Sequence, residues 1–207
     1  GTAVFDWVVP REWNIRDAYV RNSIGEKIID FQQHNLHVLN YSTPMKARMR
    51  LDELRPHLFS LPDMPDWIHH RTSYFNDNWG CCLSQRQLEA MPDDTYEVVI
   101  DSSLEPGALT YGELTIPGES DEQVLLFAHC CHPSLANDNL SGIAVVVELA
   151  RILGESSPRL TYRCVFAPAA IGCIAWLSQN QSELGKIKLG MVAALLGDSG
   201  QLTYKRT

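Results

Sequence analysis

The sequence predicts an α/β protein with a mostly parallel sheet and flanking helices, interrupted by a smaller β-rich region. Two observations carry this. From Val124 onward apolar runs alternate with helical patterns: strand VLLFAH, helix LSGIAVVVELARIL, strand TYRCVFAP, helix AIGCIAWLSQN and strand LGMVAALLG. Such alternation is what parallel strands joined by crossover helices produce. Near the start, VFDWVV, RDAYV, KIIDF and LHVLNYS are short β-type runs separated by Pro, Asn and Gly. The composition agrees, because 207 residues at 45% hydrophobic and 20% charged supply enough apolar material for a core and too little charge for a disordered chain.

Between Leu51 and Met91 short helical candidates (LDELRPHL, SQRQLEAM) flank an aromatic loop, DWIHHRTSYFNDNWG, and the β texture returns with YEVVIDSS and LTYGELTIPG. Neighbouring parallel strands are then expected at Val124–His129, Thr161–Ala167 and Met191–Leu196, with helices over Ser141–Leu153 and Ala170–Gln179. Ile143, Val146, Val147 and Ala150 recur at helical spacing and predict the face turned to the sheet. Asn139 and Ser141 are natural N-terminal capping residues for that helix. In open α/β sheets ligands bind beyond the carboxyl ends of the strands. His129, Pro168 and Asp198 each fall at such an end.

Charge and cysteine usage exclude several classes. Lys plus Arg number 17 against 25 for Asp plus Glu, a net charge of −8, with no basic run to neutralise successive phosphates, so no nucleic acid is expected to bind this segment. Val124–Ala128 and Met191–Leu196 are far shorter than the roughly 20 residues of a membrane span, so no membrane partner is expected. The six cysteines, Cys81/Cys82, Cys130/Cys131, Cys164 and Cys173, follow neither a zinc-ribbon spacing nor a secreted disulfide framework. Free thiols and a cytoplasmic location are the expectation. The chain opens on Gly1 and stops soon after a strand-like run, and is read as a C-terminally incomplete piece of a longer protein.

The stretch FAHCCHPSLANDNLSGIAVVVELAR crowds His129, Cys130, Cys131, His132 and Asp138 between a strand end and a helix start. Both neighbours are fixed by burial, which suits a rigid site. Imidazole nitrogen with carboxylate oxygen is a normal zinc donor set. Plainer readings stand beside it: a histidine satisfied by a turn, an aspartate that caps a helix, cysteines that behave as small apolar groups. His69, His70, Tyr74 and Trp79 form a second patch that either lines a substrate cleft or packs within its own region.

The segment GELTIPGESDEQVLLFAHCCHPSLANDNLSGIAVVVELARIL resembles the zinc aminopeptidases of clan MH, in which a strand ends in Ala-His-x-Asp and a loop leads to Asn-Asp-Asn-x-Ser-Gly at a helix start. More closely, the whole chain is similar to a bacterial aminopeptidase-like family of unknown function through GTAVFDWVVPREWNIRDAY, NLHV, LDELRPHL, WGCCLS, HPSLANDNLSGIA and GDSGQLTYKR. The resemblance implies an α/β fold of the phosphorylase/hydrolase-like, zinc-exopeptidase type from residues 1–25 and 106–207. It also implies a β-rich insertion over 26–105 and a winged-helix region beyond the chain. By the same resemblance His129 is a metal-binding histidine, Asp138 the aspartate that bridges two metals and Asp198 a later carboxylate ligand, for one or two zinc ions.

Two departures bear on activity. Where the aminopeptidases have His-x-Asp this chain has Cys131, followed by His132, which becomes a second ligand candidate or an outer partner. Where they carry two adjacent glutamates, a general base and a ligand, this chain reads FAPAAIG, with Ala169 at the base position and Ala170 beside it. Alanine can neither take a proton nor bind a metal, so no catalytic residue is assigned, and His132 is the first substitute to consider. Three functions survive: a metal-dependent aminopeptidase-like hydrolase of a peptide or amide bond, weak or inactive; a scaffold or binding protein on the same fold; and, more remotely, a cysteine-nucleophile or redox protein. The expected partner is a peptide or peptide-like small substrate, with homo-oligomerisation left open.

Overall fold

The computed structural model describes residues 1–206. In chain order the elements are β1 (Ala3–Val4), β2 (Trp7–Val8), β3 (Glu12–Arg21), β4 (Lys27–Asp30), β5 (Met45–Arg50), α1 (Leu51–Leu54), β6 (Leu58–Phe59), β7 (Cys81–Cys82), α2 (Gln85–Ala90), β8 (Thr95–Glu105), β9 (Gly112–Ile116), β10 (Ser120–His129), α3 (Gly142–Gly154), β11 (Leu160–Ala167), α4 (Ile171–Gln179) and β12 (Ile187–Val192). They fall into two compact units, one of Gly1 with Pro10–Ala108, the other of Thr2–Val9 with Leu109–Thr207.

The first unit is built on an antiparallel sheet of order β4-β3-β8-β5. Along β8, Tyr96, Val98, Ile100 and Ser102 are buried while their neighbours are not. This is the period-2 pattern of a sheet covered on one face. Tyr96 and Val98 pack with Val20, Ile29, Leu51, Leu54 and Leu83. Ser84 opens α2 with a reciprocal cap: its Oγ accepts from the Gln87 N–H while Gln87 Oε1 accepts from the Ser84 N–H. The boundary differs from the expected 26–105, because β3 runs along β8 from Glu12↔Glu105 to Arg21↔Glu97 and so carries residues 10–25 into this unit. A strand whose partner lies some eighty residues away leaves no local mark of its sheet.

In the second unit the sheet order is β12-β10-β11-β9. β10 lies parallel to both β11 and β12, as the alternation of elements predicts, whereas β9 joins β11 antiparallel. The mostly parallel description therefore fails for the chain as a whole: the β1–β2 ribbon and the first unit's four-stranded sheet are antiparallel, and antiparallel pairs predominate. β10 is the spine. Its Val124, Leu126 and Ala128 pack with Val146 and Ala150 of α3, and its Leu125 and Phe127 pack with Trp176 of α4. Alternate residues of one strand thus face helices on opposite sides, which explains the uninterrupted apolar run. Val147, expected on the buried face of α3, is instead exposed.

The last strand begins at Ile187, earlier than the expected Met191, and ends at Val192. Residues 193–198 leave the ladder after a final bond from the Ala193 N–H to the Phe127 carbonyl. No helix among the described residues is long and apolar enough to cross a membrane.

One prediction concerns pH. His37 in the first unit is buried, and its Nδ1–H donates to the Cys82 carbonyl at 2.7 Å. Burial, aided by His34, pulls its pKa below the ordinary value against the opposing pull of that hydrogen bond and of Asp30. The unfolded chain then binds more protons in the window just below about pH 6.5, so stability present above that pH is lost as pH falls towards 5. His37→Asn, which can keep a donor to Cys82, should flatten the loss between pH 7 and 5, read by urea denaturation at each pH.

Candidate functional site

The site is assembled by the five residues Asn137–Ser141 between β10 and α3. Side chains alternate in direction. Asn137, Asn139 and Ser141 turn to the loop that follows β12, and Asp138 turns to the histidines. Asn139 is fully buried; its Oδ1 accepts from the Leu195 N–H at 3.1 Å and its Nδ2 donates to the Ala193 carbonyl at 3.0 Å. Ser141 Oγ accepts from the Leu196 N–H at 2.9 Å, and Asn137 Oδ1 accepts from the Gly197 N–H at 2.7 Å. Three successive amides of a strandless loop are thereby bonded by side chains, the first two in part-buried surroundings and the third at the surface. The loop comes so close that a Cβ at Gly142 would collide with the Ala193 carbonyl oxygen and Asn139 Oδ1. That is why glycine stands there. Asn139 and Ser141 therefore do not cap α3; Ser141, the residue before the helix, makes no side-chain cap bond to its first turn.

Asp138 is bracketed by imidazoles. Its Oδ1 lies 2.6 Å from His129 Nε2 and its Oδ2 lies 3.2 Å from His132 Nε2. The hydrogen bond from His129, then that from His132, holds the carboxyl below its ordinary range despite partial burial. The two histidines are wired differently. The NH2 of Asn139 faces His129 Nδ1 at 3.4 Å, which makes Nδ1 an acceptor and leaves the Nε2–H to donate to Asp138. His132 Nδ1–H donates to the Pro133 carbonyl at 2.8 Å. Its other ring nitrogen, Nε2, faces Asp138 Oδ2, so a carbonyl and a carboxylate flank the ring.

The structure brings together His129, His132 and Asp138 and sets Asp198 apart. Asp198 is exposed; Oδ2 accepts from Asn137 Nδ2 at 2.9 Å and Oδ1 from the Gly200 N–H at 2.7 Å. It is thus joined to the neighbour of Asp138 and not bonded to the histidines. Among the described residues no group of three His, Cys, Asp or Glu side chains stands in a metal-holding arrangement. The donor chemistry nevertheless fits zinc. Two ligand atoms on one tetrahedral ion, at bonds of about 2.0–2.2 Å, lie roughly 3.3–3.5 Å apart. The His132–Asp138 separation is close to this value, and the His129–Asp138 separation is a hydrogen bond.

Cys131 interacts with the backbone N–H of Ala169, and burial raises its thiol pKa, as it does that of Cys130. A thiolate nucleophile is disfavoured by that shift. Cys81 and Cys82 are buried, with pKa values pushed up to about 12 and about 11 by desolvation. All six cysteines are free thiols. In the aromatic patch Trp79 stacks on His57, ring centroids 3.7 Å apart, and Tyr74 lies edge-on to Tyr41, so both have packing partners within the first unit. What sequence reading missed is the clamp: the polar residues at 137, 139 and 141 are a period-2 pattern that could have shown it.

Beyond β11, Ala170 has φ 55° and ψ −75°, and the Ile171 N–H donates to the Ala169 carbonyl at 2.8 Å. This is a γ-turn of the strained, positive-φ kind.

The site lies at the carboxyl end of β10, an inner strand of the second unit's sheet. The crystal structure of a zinc aminopeptidase from Bacillus subtilis shares the fold at a TM-score of 0.56 and 14% identity, over 88% of this chain and 56% of the other. The chain belongs to the family described as Domain of unknown function (DUF4910), which matches residues 1–207. A Clostridium acetobutylicum relative, provisionally named a polysaccharide biosynthesis protein with an aminopeptidase-like domain, is 54% identical over all of this chain and 48% of its own length. A crystal structure from the same organism, provisionally described as a peptidase, superposes with a TM-score of 0.94 at 54% identity, covering 97% of this chain and 47% of the other. The chain therefore spans about half the length of these relatives.

Two stability predictions follow from this geometry. Asn139→Ala should cost about 1–3 kcal/mol, since it strands the buried Ala193 carbonyl and removes the part-buried bond to the Leu195 N–H. Ala170→Gly should stabilise by about 1 kcal/mol by relieving the positive φ. Denaturant midpoints of the two variants check both.

Proposed function

We propose that the chain carries the metal-binding part of an aminopeptidase-like hydrolase site, in which His132, Asp138 and His129 hold zinc with Asp198 as a further carboxylate, and in which amide hydrolysis is weak. The observation that carries this reading is the convergence of His129 and His132 on the two oxygens of Asp138, with His132 Nδ1 bonded to the Pro133 carbonyl. A metal-ligating histidine typically donates its other ring N–H in this way. One ion is the smaller claim; a second would draw on Asp198.

Zinc bound there would supply a Lewis acid for a carbonyl and an attacking water. The chain's own contribution is electrostatic and positional. The Asp138 carboxylate is kept ionised by the imidazoles and would balance a cation's charge. The clamp on residues 193–197 fixes the ground on which Asp198 stands, and with it the acidic side of the site, where the free amino end of a peptide-like substrate would be welcomed. No proton acceptor is offered at Ala169. A positioned general base contributes about 10²- to 10⁴-fold, which is the size of the expected deficit. The naming of the Clostridium relative is compatible with a peptide-like or amide-containing precursor as substrate. The six free thiols support a cytoplasmic location.

A second reading, a scaffold that kept the fold without the chemistry, is favoured by the wiring of His129. Its Nδ1 meets an amide NH2, so a ligand role would require the ring to exchange tautomers.

Equilibrium dialysis against zinc separates the two. His132→Ala and Asp138→Asn should each weaken zinc binding by about 100-fold or more, beyond the usual effect of an outer-shell change. In full-length protein, Ala169→Glu should raise hydrolysis of aminoacyl amides at least about tenfold. Absence of zinc binding in the unmodified protein, with no gain from Ala169→Glu, would favour the scaffold.

A further inference from the structure

We infer that a cavity in the first unit binds a small carboxylate with an apolar body, through the guanidinium of Arg48. The cavity, of about 380 Å³, lies where the turn between β3 and β4 meets β8 and β5. That volume falls within the roughly 300–1,000 Å³ usual for small-molecule sites. Its floor is the face of the antiparallel sheet opposite the core: Tyr96 and Val98 are buried in the core, so Thr95 and Glu97 take the other face.

Three charges lie in a row across that face. Glu97 is paired in register with Arg21 on β3 and with Arg48 on β5. Arg21 Nε donates to the Glu97 carboxylate, and its guanidinium lies 5.4 Å from the centre of the Tyr19 ring. Glu97 is thereby engaged, its side chain only 16% exposed. Arg48 is exposed and its guanidinium has no hydrogen bond or ion pair among the described residues. Two guanidiniums against one carboxylate leave one positive charge in a concavity of a chain whose net charge is −8. A monoanion balances that surplus. A carboxylate does so and meets the guanidinium fork with two parallel hydrogen bonds. A phosphate monoester, at about −1.5 to −2 near pH 7, would overshoot it.

The rim is fixed before any ligand arrives. Asn22 Oδ1 accepts from the Glu26 N–H at 2.9 Å, and the Gly25 N–H donates to the Asn22 carbonyl at 3.0 Å. Gly25 has φ 89°, a conformation in which glycine alone is at ease. The Ser23 N–H and hydroxyl both donate to Asp94 Oδ2, at 3.0 and 2.7 Å, which ties the turn to the start of β8. Asp94 also accepts from the Thr95 N–H at 2.7 Å and does not line the cavity. At the tip of the turn, Ile24 does line it and is 84% exposed. It offers an apolar contact to the body of a ligand whose carboxylate sits on Arg48.

The test is a titration of the full, isotope-labelled chain with N-acetylleucine, glucuronate and inorganic phosphate in turn, followed through the amide signals of Ile24, Gly25 and Arg48. Saturable shifts with N-acetylleucine are expected, at an affinity at least about tenfold above that of glucuronate, because only the former covers Ile24 with apolar surface. Arg48→Gln should weaken binding at least about tenfold through loss of a charge-assisted pair. Lys46→Gln, which removes an equal charge two residues along the same strand but outside the cavity, should leave binding unchanged. Both variants alter exposed side chains, and circular dichroism checks that each is folded. Equal weakening by the two would reduce the effect to general charge attraction and overturn the inference. So would an absence of shifts with either carboxylate in the unmodified chain. Tighter binding of phosphate would overturn the monoanion, and tighter binding of glucuronate the apolar body.

Discussion

The second unit depends on one constraint: the loop that leaves β12 has backbone amides at residues 195–197 and no strand to pair them with. Asn139, Ser141 and Asn137 meet these amides in turn. Because the same few residues connect β10 to α3, the clamp ties the carboxyl ends of two parallel neighbours to the start of a helix. Burial of Val146 and Ala150 against β10 then fixes that helix from the other side. Asp138 is left no freedom but to face away from the loop, and the histidines of the β10 end are what it finds.

Much of the second unit was legible in the sequence because its signals are local. The runs at 124–129 and 161–167 are apolar enough to be doubly buried strands, and the helix at 142–154 shows its buried face in Val146 and Ala150. Where the reading failed, the deciding contacts were distant or depended on direction. β3 belongs with β8 through pairings across the whole first unit, which no local pattern records. Val147 has helical spacing and the right chemistry, yet points to solvent, since two adjacent positions cannot both sit at the centre of a narrow buried face.

The site was legible in its residues and less so in its wiring. His129, His132 and Asp138 lie within ten residues of one another, so their meeting follows from a tight connection. That His129 also meets the Asn139 amide while His132 also meets the Pro133 carbonyl could not be read from residue types. Asp198 stands where a strand end would put it, but its bonds go to Asn137 and Gly200. Proximity in sequence predicted who meets, and hydrogen-bond direction decided what they do.

Interleaving of clamp and carboxylate within Asn137–Ser141 has a consequence for how such a segment can change. Substitutions alter one role at a time, but a change in length exchanges the roles. Deleting a single residue here would turn the carboxylate toward the loop amides and offer a neutral amide to the histidines, inverting the site while leaving its composition nearly unchanged. The spacing between the strand end and the helix is therefore as much a part of the motif's information as its letters, and insertions or deletions in this stretch carry a penalty that a count of matching residues would not register.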